Sequence, residues 1–105
     1  MTDMVSGKLV RDKIPAIIKS KGKMPNTCIL SDEEYAAELE RKLDEEVSEF
    51  HKDKNLEELA DILEVVYALT ENIGCNKEQL FAANEKKRAE RGGFKDRVFL
   101  VVNEG

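Results

Sequence analysis

The stretch that decides the fold spans residues 31–74 and reads SDEEYAAELERKLDEEVSEFHKDKNLEELADILEVVYALTENIG. In its first half, apolar residues recur at three- and four-residue intervals, which is the spacing of an amphipathic helix. Ser31 and Glu34 form the S-x-x-E pattern of an N-terminal capping box. We therefore predict a long helix over about 32–53. One position in its apolar row is occupied by a glutamate, Glu46.

The second half of this stretch predicts a helix that is buried on more than one side. Asn55 can cap its start and Gly74 can end it, so the helix covers about 56–72. Its apolar residues are Leu56, Leu59, Ala60, Ile62, Leu63, Val65, Val66, Tyr67, Ala68, Leu69 and Ile73. They occupy most of the girth of the helix rather than a single stripe. Three helices of one chain cannot easily surround it, which favours a helical bundle completed by oligomerisation.

Shorter elements flank these two helices. A third main helix is predicted at about 77–91, between a second capping box and a pair of glycines. Asp12 can cap a short N-terminal helix that ends near Lys19. Residues 27–30 and 97–102 are rich in β-branched and apolar types, and we expect them to pair as a small two-stranded β element. The predicted fold class is therefore mainly α.

Composition limits the class of protein. The 105 residues form one domain, 1–105, in which 41% hydrophobic residues allow a small core. The longest apolar runs, Val65–Leu69 and Val98–Val102, are far shorter than the roughly 20 residues of a membrane span. The first residues lack the pattern of a signal peptide. Cys28 and Cys75 are too far apart for a C-x-x-C metal or redox motif. We expect a reduced, cytoplasmic protein with no membrane partner.

Charge is distributed unevenly along the chain. The net charge of −5 divides into +4 for residues 1–30, −11 for residues 31–71 and +2 for residues 72–105. The sequence pI of about 5.0 disfavours a nucleic-acid partner. An acidic middle between basic ends is typical of a site that binds a metal ion and phosphates together. From charge alone, a solvated acidic helix face is the simpler interpretation.

Two pairs of carboxylates occupy single helix faces. Glu46 and Glu49 are three positions apart on the first long helix, and Glu58 and Asp61 are three apart on the next. Glu46 and Asp61 stand among apolar residues, where an unpaired carboxylate costs on the order of several kcal/mol. A divalent cation would relieve this cost, and ligation by oxygen alone suits Mg²⁺ or Mn²⁺. Alternatively, Glu58 only caps its helix and Glu49 pairs with a surface lysine.

Basic residues form a second group of candidates. Asn84, Lys87 and Arg91 lie on one stripe of the third main helix, where they could bind phosphate oxygens. The alternative is an exposed basic face. Lys8 and Arg11, near the N-terminus, could add phosphate contacts or anchor the N-terminal segment to the acidic helices.

These motifs together resemble a known family. The pattern E-E-x-x-E over 45–49, followed by E-x-x-D over 58–61, resembles the signature of the all-α nucleoside triphosphate pyrophosphohydrolases, the MazG-like superfamily. KLVRDKIP at 8–15 and KRAERGGF at 87–94 are similar to one branch of small house-cleaning enzymes, sometimes labelled phosphoribosyl-ATP pyrophosphohydrolase-like. The resemblance covers roughly residues 8–100.

The resemblance implies a set of metal ligands and a proton acceptor. The Mg²⁺ ligands would be Glu46, Glu49, Glu58 and Asp61. Glu49 or Glu45 would accept a proton from the attacking water. The ion would draw charge from the phosphate oxygens.

The resemblance also implies a substrate and a reaction. Lys87 and Arg91 match basic positions that bind the triphosphate, and hydrolysis between the α and β phosphates would give a nucleoside monophosphate and pyrophosphate. We expect a homodimer or homotetramer that removes non-standard nucleotides. One alternative is phosphoribosyl-ATP pyrophosphohydrolase activity. Another is a non-catalytic helical oligomerisation module.

Overall fold

A computed structural model describes residues 7–101 and shows four α-helices. The helices are α1 (Ile14–Ser20), α2 (Asp32–Asp53), α3 (Leu56–Asn72) and α4 (Lys77–Arg91). The mainly α fold is confirmed, and the bounds of the three main helices agree with the sequence prediction. Among the described residues, no helix combines the length and apolar character needed to cross a bilayer.

Local capping explains where α2 begins and ends and where α3 begins. The Ser31 hydroxyl accepts a hydrogen bond from the Glu34 N–H at 3.2 Å, and the Ser31 N–H donates to the Glu34 carboxylate at 3.0 Å. Lys54 ends α2 in the left-handed conformation, at φ 51°. Asn55 follows at once and accepts from the Glu58 N–H at 3.0 Å, which starts α3. The two helices are therefore joined by a very tight turn.

The ends of the outer helices agree with prediction except at α1. Asn76 and Gln79 form the second capping box, at 2.8 and 2.9 Å. Gly74, just after α3, adopts φ +91°, which favours glycine. The predicted cap at Asp12 is wrong, because Lys13 occupies the N-cap position and makes no side-chain cap bond. Pro15 lies in the first turn, where its fixed φ favours helix initiation without a cap.

The core of the chain lies between α2 and α3. Leu39 of α2 and Val65 of α3 are its buried apolar residues. Thr70 is also buried, and its hydroxyl donates to the carbonyl of Val66 at 2.7 Å, one helical turn earlier. The Cα radius of gyration is 18.3 Å, whereas a compact domain of this size has about 13 Å. The chain is therefore extended, and the helical hairpin of α2 and α3 is its packed part.

The predicted two-stranded β element is not seen in the part of the chain that the structure describes. Residues 27–30 and 97–101 form no strand, while Val102 lies outside the described residues. Ile29 is 97% exposed and Phe99 is 86% exposed. Strand-forming residue types need a surface to pack against, and an isolated two-stranded ribbon is marginal in water. Neither segment lies on such a surface in this chain.

Candidate metal centre

The packing of α2 on α3 places three predicted acids at the edge of the core. Glu58 and Asp61 precede the buried Val65 by seven and four residues, so all three lie on one face of α3. On α2, Glu46 follows the buried Leu39 by seven residues and lies on the same face, two turns further along. The acids of both helices therefore point toward the border of the α2–α3 interface.

The three carboxylates converge. One oxygen from each of Glu46, Glu58 and Asp61 lies within 4.8 Å of the others. The Glu46 side chain is only 12% exposed. Opposite ligands of a Mg²⁺ ion are about 4.2 Å apart, and Mg²⁺ prefers carboxylate and water oxygens. The donor set therefore suits a small hard cation, and the carboxylate oxygens would close on the ion from separations of up to 4.8 Å.

Glu49 lies beside this cluster rather than in it. Its carboxylate is 3.6 Å from the Nζ atom of Lys52, one turn further along α2. It is nevertheless close enough to act on Glu58, because its negative charge contributes to the raised pKa of that residue. Of the four predicted ligands, the structure thus brings three together and leaves the fourth at the rim.

Glu58 is the member of the cluster whose pKa is raised. Partial burial raises the pKa of Glu58, and the negative charges of Asp53, Asp61 and Glu49 raise it further. Asp53 also shares a hydrogen bond with Glu58 that acts in the same direction. A bound cation would reverse this balance by favouring the ionised carboxylate.

Lys42 compensates part of the negative charge from within α2. Its Nζ atom is 3.2 Å from a carboxylate oxygen of Glu46 and 3.4 Å from one of Glu45. Lys42 was not predicted as a site residue. Its spacing of three and four residues from these acids was the available signal, since such pairs meet on a helix surface.

The N-terminal segment lies against the acidic helices. Arg11 Nη2 donates to Asp61 Oδ1 at 2.8 Å, and Lys8 Nζ lies 3.5 Å from Glu45 Oε2. Both predicted basic residues are therefore at the site. In this structure they anchor the segment to the acids, which is one of the two roles expected of them.

A cavity of about 550 Å³ adjoins the cluster. This size is within the usual range for small-molecule sites. Its polar and aromatic lining comprises Lys8, Arg11, Asp12, Tyr35, Lys42, Glu46, Asp61, Glu64, Tyr67, Glu71 and Lys77. Lys77 Nζ lies 4.4 Å from the centre of the Tyr67 ring, in cation–π geometry. Tyr35, Tyr67 and Lys77 carried no sequence signal for this site, because only the packing of α2, α3 and α4 brings them together.

The predicted basic stripe lies elsewhere. Asn84, Lys87 and Arg91 line a second cavity of about 660 Å³, together with the glycines that follow α4 and Phe94. Among the described residues, the two cavities share no lining residue. At 1.5 Å per residue, Lys87 is about 15 Å along α4 from Lys77. The structure groups the three stripe residues but does not bring them to the acids of the same chain.

The histidine and the two cysteines lie outside the acidic cluster. His51 is exposed on α2, where its ring lies 6.3 Å from that of Phe50. Cys28 and Cys75 are free thiols.

Comparison with known proteins gives a limited result. No family model matches the chain, and no solved structure matches it. A 42-residue stretch is 55% identical to an uncharacterized protein of Mycolicibacterium smegmatis. This match covers 40% of the chain and 43% of that protein, so it spans less than half of the relative. The similarity carries no information on activity.

Proposed function

We propose that this chain is a member of the MazG-like superfamily and a magnesium-dependent nucleoside triphosphate pyrophosphohydrolase. The observation that carries the proposal is the convergence of Glu46, Glu58 and Asp61 within 4.8 Å at the edge of the α2–α3 core. A cavity of about 550 Å³ adjoins these acids, and its charged lining comprises four basic and five acidic residues. The E-E-x-x-E and E-x-x-D motifs support the same interpretation.

In this proposal the three converging acids hold the ion. When bound, the ion would neutralise phosphate charge and supply an acidified water. Glu45 is engaged by two lysines, whereas Glu49 has one exposed lysine partner. We therefore assign proton acceptance to Glu49, which is the less constrained of the two candidates.

The reaction is a balanced hydrolysis. A water oxygen forms a bond to the α phosphorus, and the bond between that phosphorus and the α–β bridging oxygen breaks. Glu49 takes the proton released by the water, and the electron pair of the broken bond leaves with pyrophosphate. Lys42 and Lys77, which line the cavity, stabilise the negative charge of the phosphates. Arg11 donates a hydrogen bond to Asp61 in the absence of the ion. When Asp61 becomes a metal ligand, Arg11 would donate to a phosphate oxygen instead.

The test is a panel assay for pyrophosphate release in Mg²⁺, with standard and modified nucleoside triphosphates and phosphoribosyl-ATP. Turnover of phosphoribosyl-ATP alone would assign the chain to that alternative activity. Glu58→Gln should lower turnover at least about 100-fold. Glu57→Gln is the matched control, because Glu57 is exposed on the same turn of α3 and lies outside the cluster. Equal activity of both variants would refute the assignment.

The ion pairs of the site favour one alternative, the non-catalytic oligomerisation module. Lys42 and Arg11 already compensate Glu46 and Asp61 within the chain. If this compensation is their whole role, Mg²⁺ will leave the melting temperature unchanged and no nucleotide will be hydrolysed. A rise in melting temperature with Mg²⁺ would instead indicate binding to the folded state.

A further inference from the structure

The second half of α4 and the segment after it lack cover within the described chain. Every residue from Phe81 to Val101 is exposed, and Leu80 is the last partly buried residue of α4. Isolated helices of about 15 residues are marginal in water, because most helix stability in proteins comes from tertiary packing. We therefore expect a second polypeptide to cover this half of α4.

The segment that follows α4 is strongly apolar. We call residues 94–101 the C-terminal arm. Its apolar side chains, which are 76–98% exposed, are Phe94, Val98, Phe99, Leu100 and Val101. Such a concentration of exposed apolar residues marks an interaction surface.

A matching apolar surface exists on α3. Leu56, Leu59 and Leu63 are separated by three and four residues and form one stripe, which we call the open α3 stripe. These three side chains are 46–75% exposed. Thr70, on the same side of the helix and nearer its end, is buried, and Val65 packs on the opposite side against α2. The open α3 stripe is therefore left uncovered in the single chain.

We propose that the C-terminal arm of one copy docks on the open α3 stripe of a second copy, and that the exchange is reciprocal in a two-fold dimer. The lengths agree. Phe94 and Arg97 close a turn through the Arg97 N–H and the Phe94 carbonyl at 3.1 Å, and residues 97–101 beyond it span at most about 17 Å when extended. This length covers the roughly 10 Å from Leu56 to Leu63 along α3. In this dimer the arm of each copy covers the open α3 stripe of the other copy.

Charge complementarity selects a second copy as the occupant. Helix α3 carries five acidic residues and no basic residue. Residues 77–101 carry seven basic and four acidic residues. The acidic helix of one copy therefore attracts the basic helix and arm of the other, and a two-fold arrangement satisfies this attraction twice.

The available area is sufficient for a stable dimer. Two buried phenylalanines contribute roughly 300–500 Å² per arm. Two arms, with the surfaces that they cover, bring the total to roughly 1,200–2,000 Å², the range of specific protein interfaces. The docked arm would also place Asn84, Lys87 and Arg91, which follow Leu80 along one side of α4, against the second copy.

The first test is the mass of the full chain in solution, by light scattering coupled to size-exclusion chromatography. We expect twice the 11.9 kDa of one chain. Phe94→Ser combined with Phe99→Ser should raise the dimer dissociation constant at least about tenfold. Met24→Ser is the control, because Met24 is 85% exposed and lies outside both surfaces. A monomeric wild-type chain would overturn the proposal.

The second test locates the contact. In a background with Cys28→Ser and Cys75→Ser, one chain carries Val98→Cys and a second, longer-tagged chain carries Leu63→Cys. Mixing and mild oxidation should give at least about tenfold more mixed disulfide than when Met24→Cys replaces Leu63→Cys, because docked thiols have a high effective concentration. A dimer with no such preference would overturn the proposal. This test requires no enzymatic activity, so it is independent of the proposed function.

Discussion

Arg11 donates a 2.8 Å hydrogen bond to Asp61, which lies fifty residues later in the chain. This contact joins the N-terminal segment to the face of α3 that carries Glu58 and Asp61. The same carboxylate is one of three whose oxygens converge within 4.8 Å. Asp61 therefore has two competing partners, an arginine in the present structure and a divalent cation in the proposed enzyme.

The first prediction concerns Arg11→Gln. The ion pair is half exposed, so its loss should lower the free energy of unfolding by less than about 1 kcal/mol. If Arg11 moves to the phosphates during turnover, KM for the nucleotide should rise about tenfold. Urea denaturation and steady-state kinetics measure the two effects. Lys19→Gln, an exposed change on α1, should alter neither, and an unchanged KM for Arg11→Gln would limit that residue to anchoring.

The second prediction concerns Glu58→Gln and the melting temperature. The pKa of Glu58 is raised in the folded state, so the folded chain binds more protons there than the unfolded chain. The free energy of unfolding therefore falls as pH rises from the ordinary glutamate pKa through the raised one. At pH 7 and without Mg²⁺, Glu58→Gln should raise the melting temperature, because it removes a carboxylate whose charge is disfavoured by partial burial and by the neighbouring acids.

Addition of Mg²⁺ should make the melting temperature of the wild-type chain higher than that of Glu58→Gln. The wild-type chain should gain stability with increasing Mg²⁺, whereas Glu58→Gln should gain much less. Glu57→Gln should behave as wild type in both conditions. Thermal scans with and without EDTA make the comparison. If Mg²⁺ stabilises Glu58→Gln as much as wild type, Glu58 is not a ligand.

The third prediction concerns the start of α2. The Ser31 N–H, with a further contribution from the Ser31 hydroxyl, lowers the pKa of Glu34. The stabilisation is therefore present above the unfolded pKa of this carboxyl and is lost as pH falls through its lowered folded pKa. Glu34→Gln should lower the melting temperature at pH 7, and the difference should shrink below about pH 4. Glu33→Gln controls for first-turn charge, because no capping contact is assigned to that side chain.

The fourth prediction combines the proposed enzyme with the proposed dimer. Suppose that Arg91 of one copy binds the phosphates of a nucleotide held at the acids of the other copy. Glu58→Gln and Arg91→Ala should then each have low turnover, and an equal mixture of the two variants, after subunit exchange, should recover about one quarter of wild-type turnover. Half of randomly mixed dimers are heterodimers, and each contains one intact site. Lys86 is a basic residue of α4 outside the stripe of Asn84, Lys87 and Arg91, so Lys86→Ala should retain activity without mixing. Without recovery in the mixture, each site would be confined to a single chain.

The bounds of the main helices were determined by the sequence alone because their signals are local. Ser31, Asn55 and Asn76 each bond the backbone N–H three residues ahead, and no distant residue is needed for that bond. The spacing of Glu58 and Asp61 likewise placed both acids on one face of α3. Helix periodicity fixes such relationships before any packing occurs.

Only the tertiary structure decided which of these features come together. Glu46 approaches Glu58 and Asp61 because Leu39 and Val65 pack α2 on α3, and Arg11 reaches Asp61 across fifty residues of chain. The predicted β element is not formed for the same kind of reason, since residues 27–30 and 97–101 have strand-forming side chains but do not pack on a surface of their own chain. Local hydrogen bonds fix a helix within one turn, whereas the meeting of distant side chains depends on how whole helices bury their apolar faces.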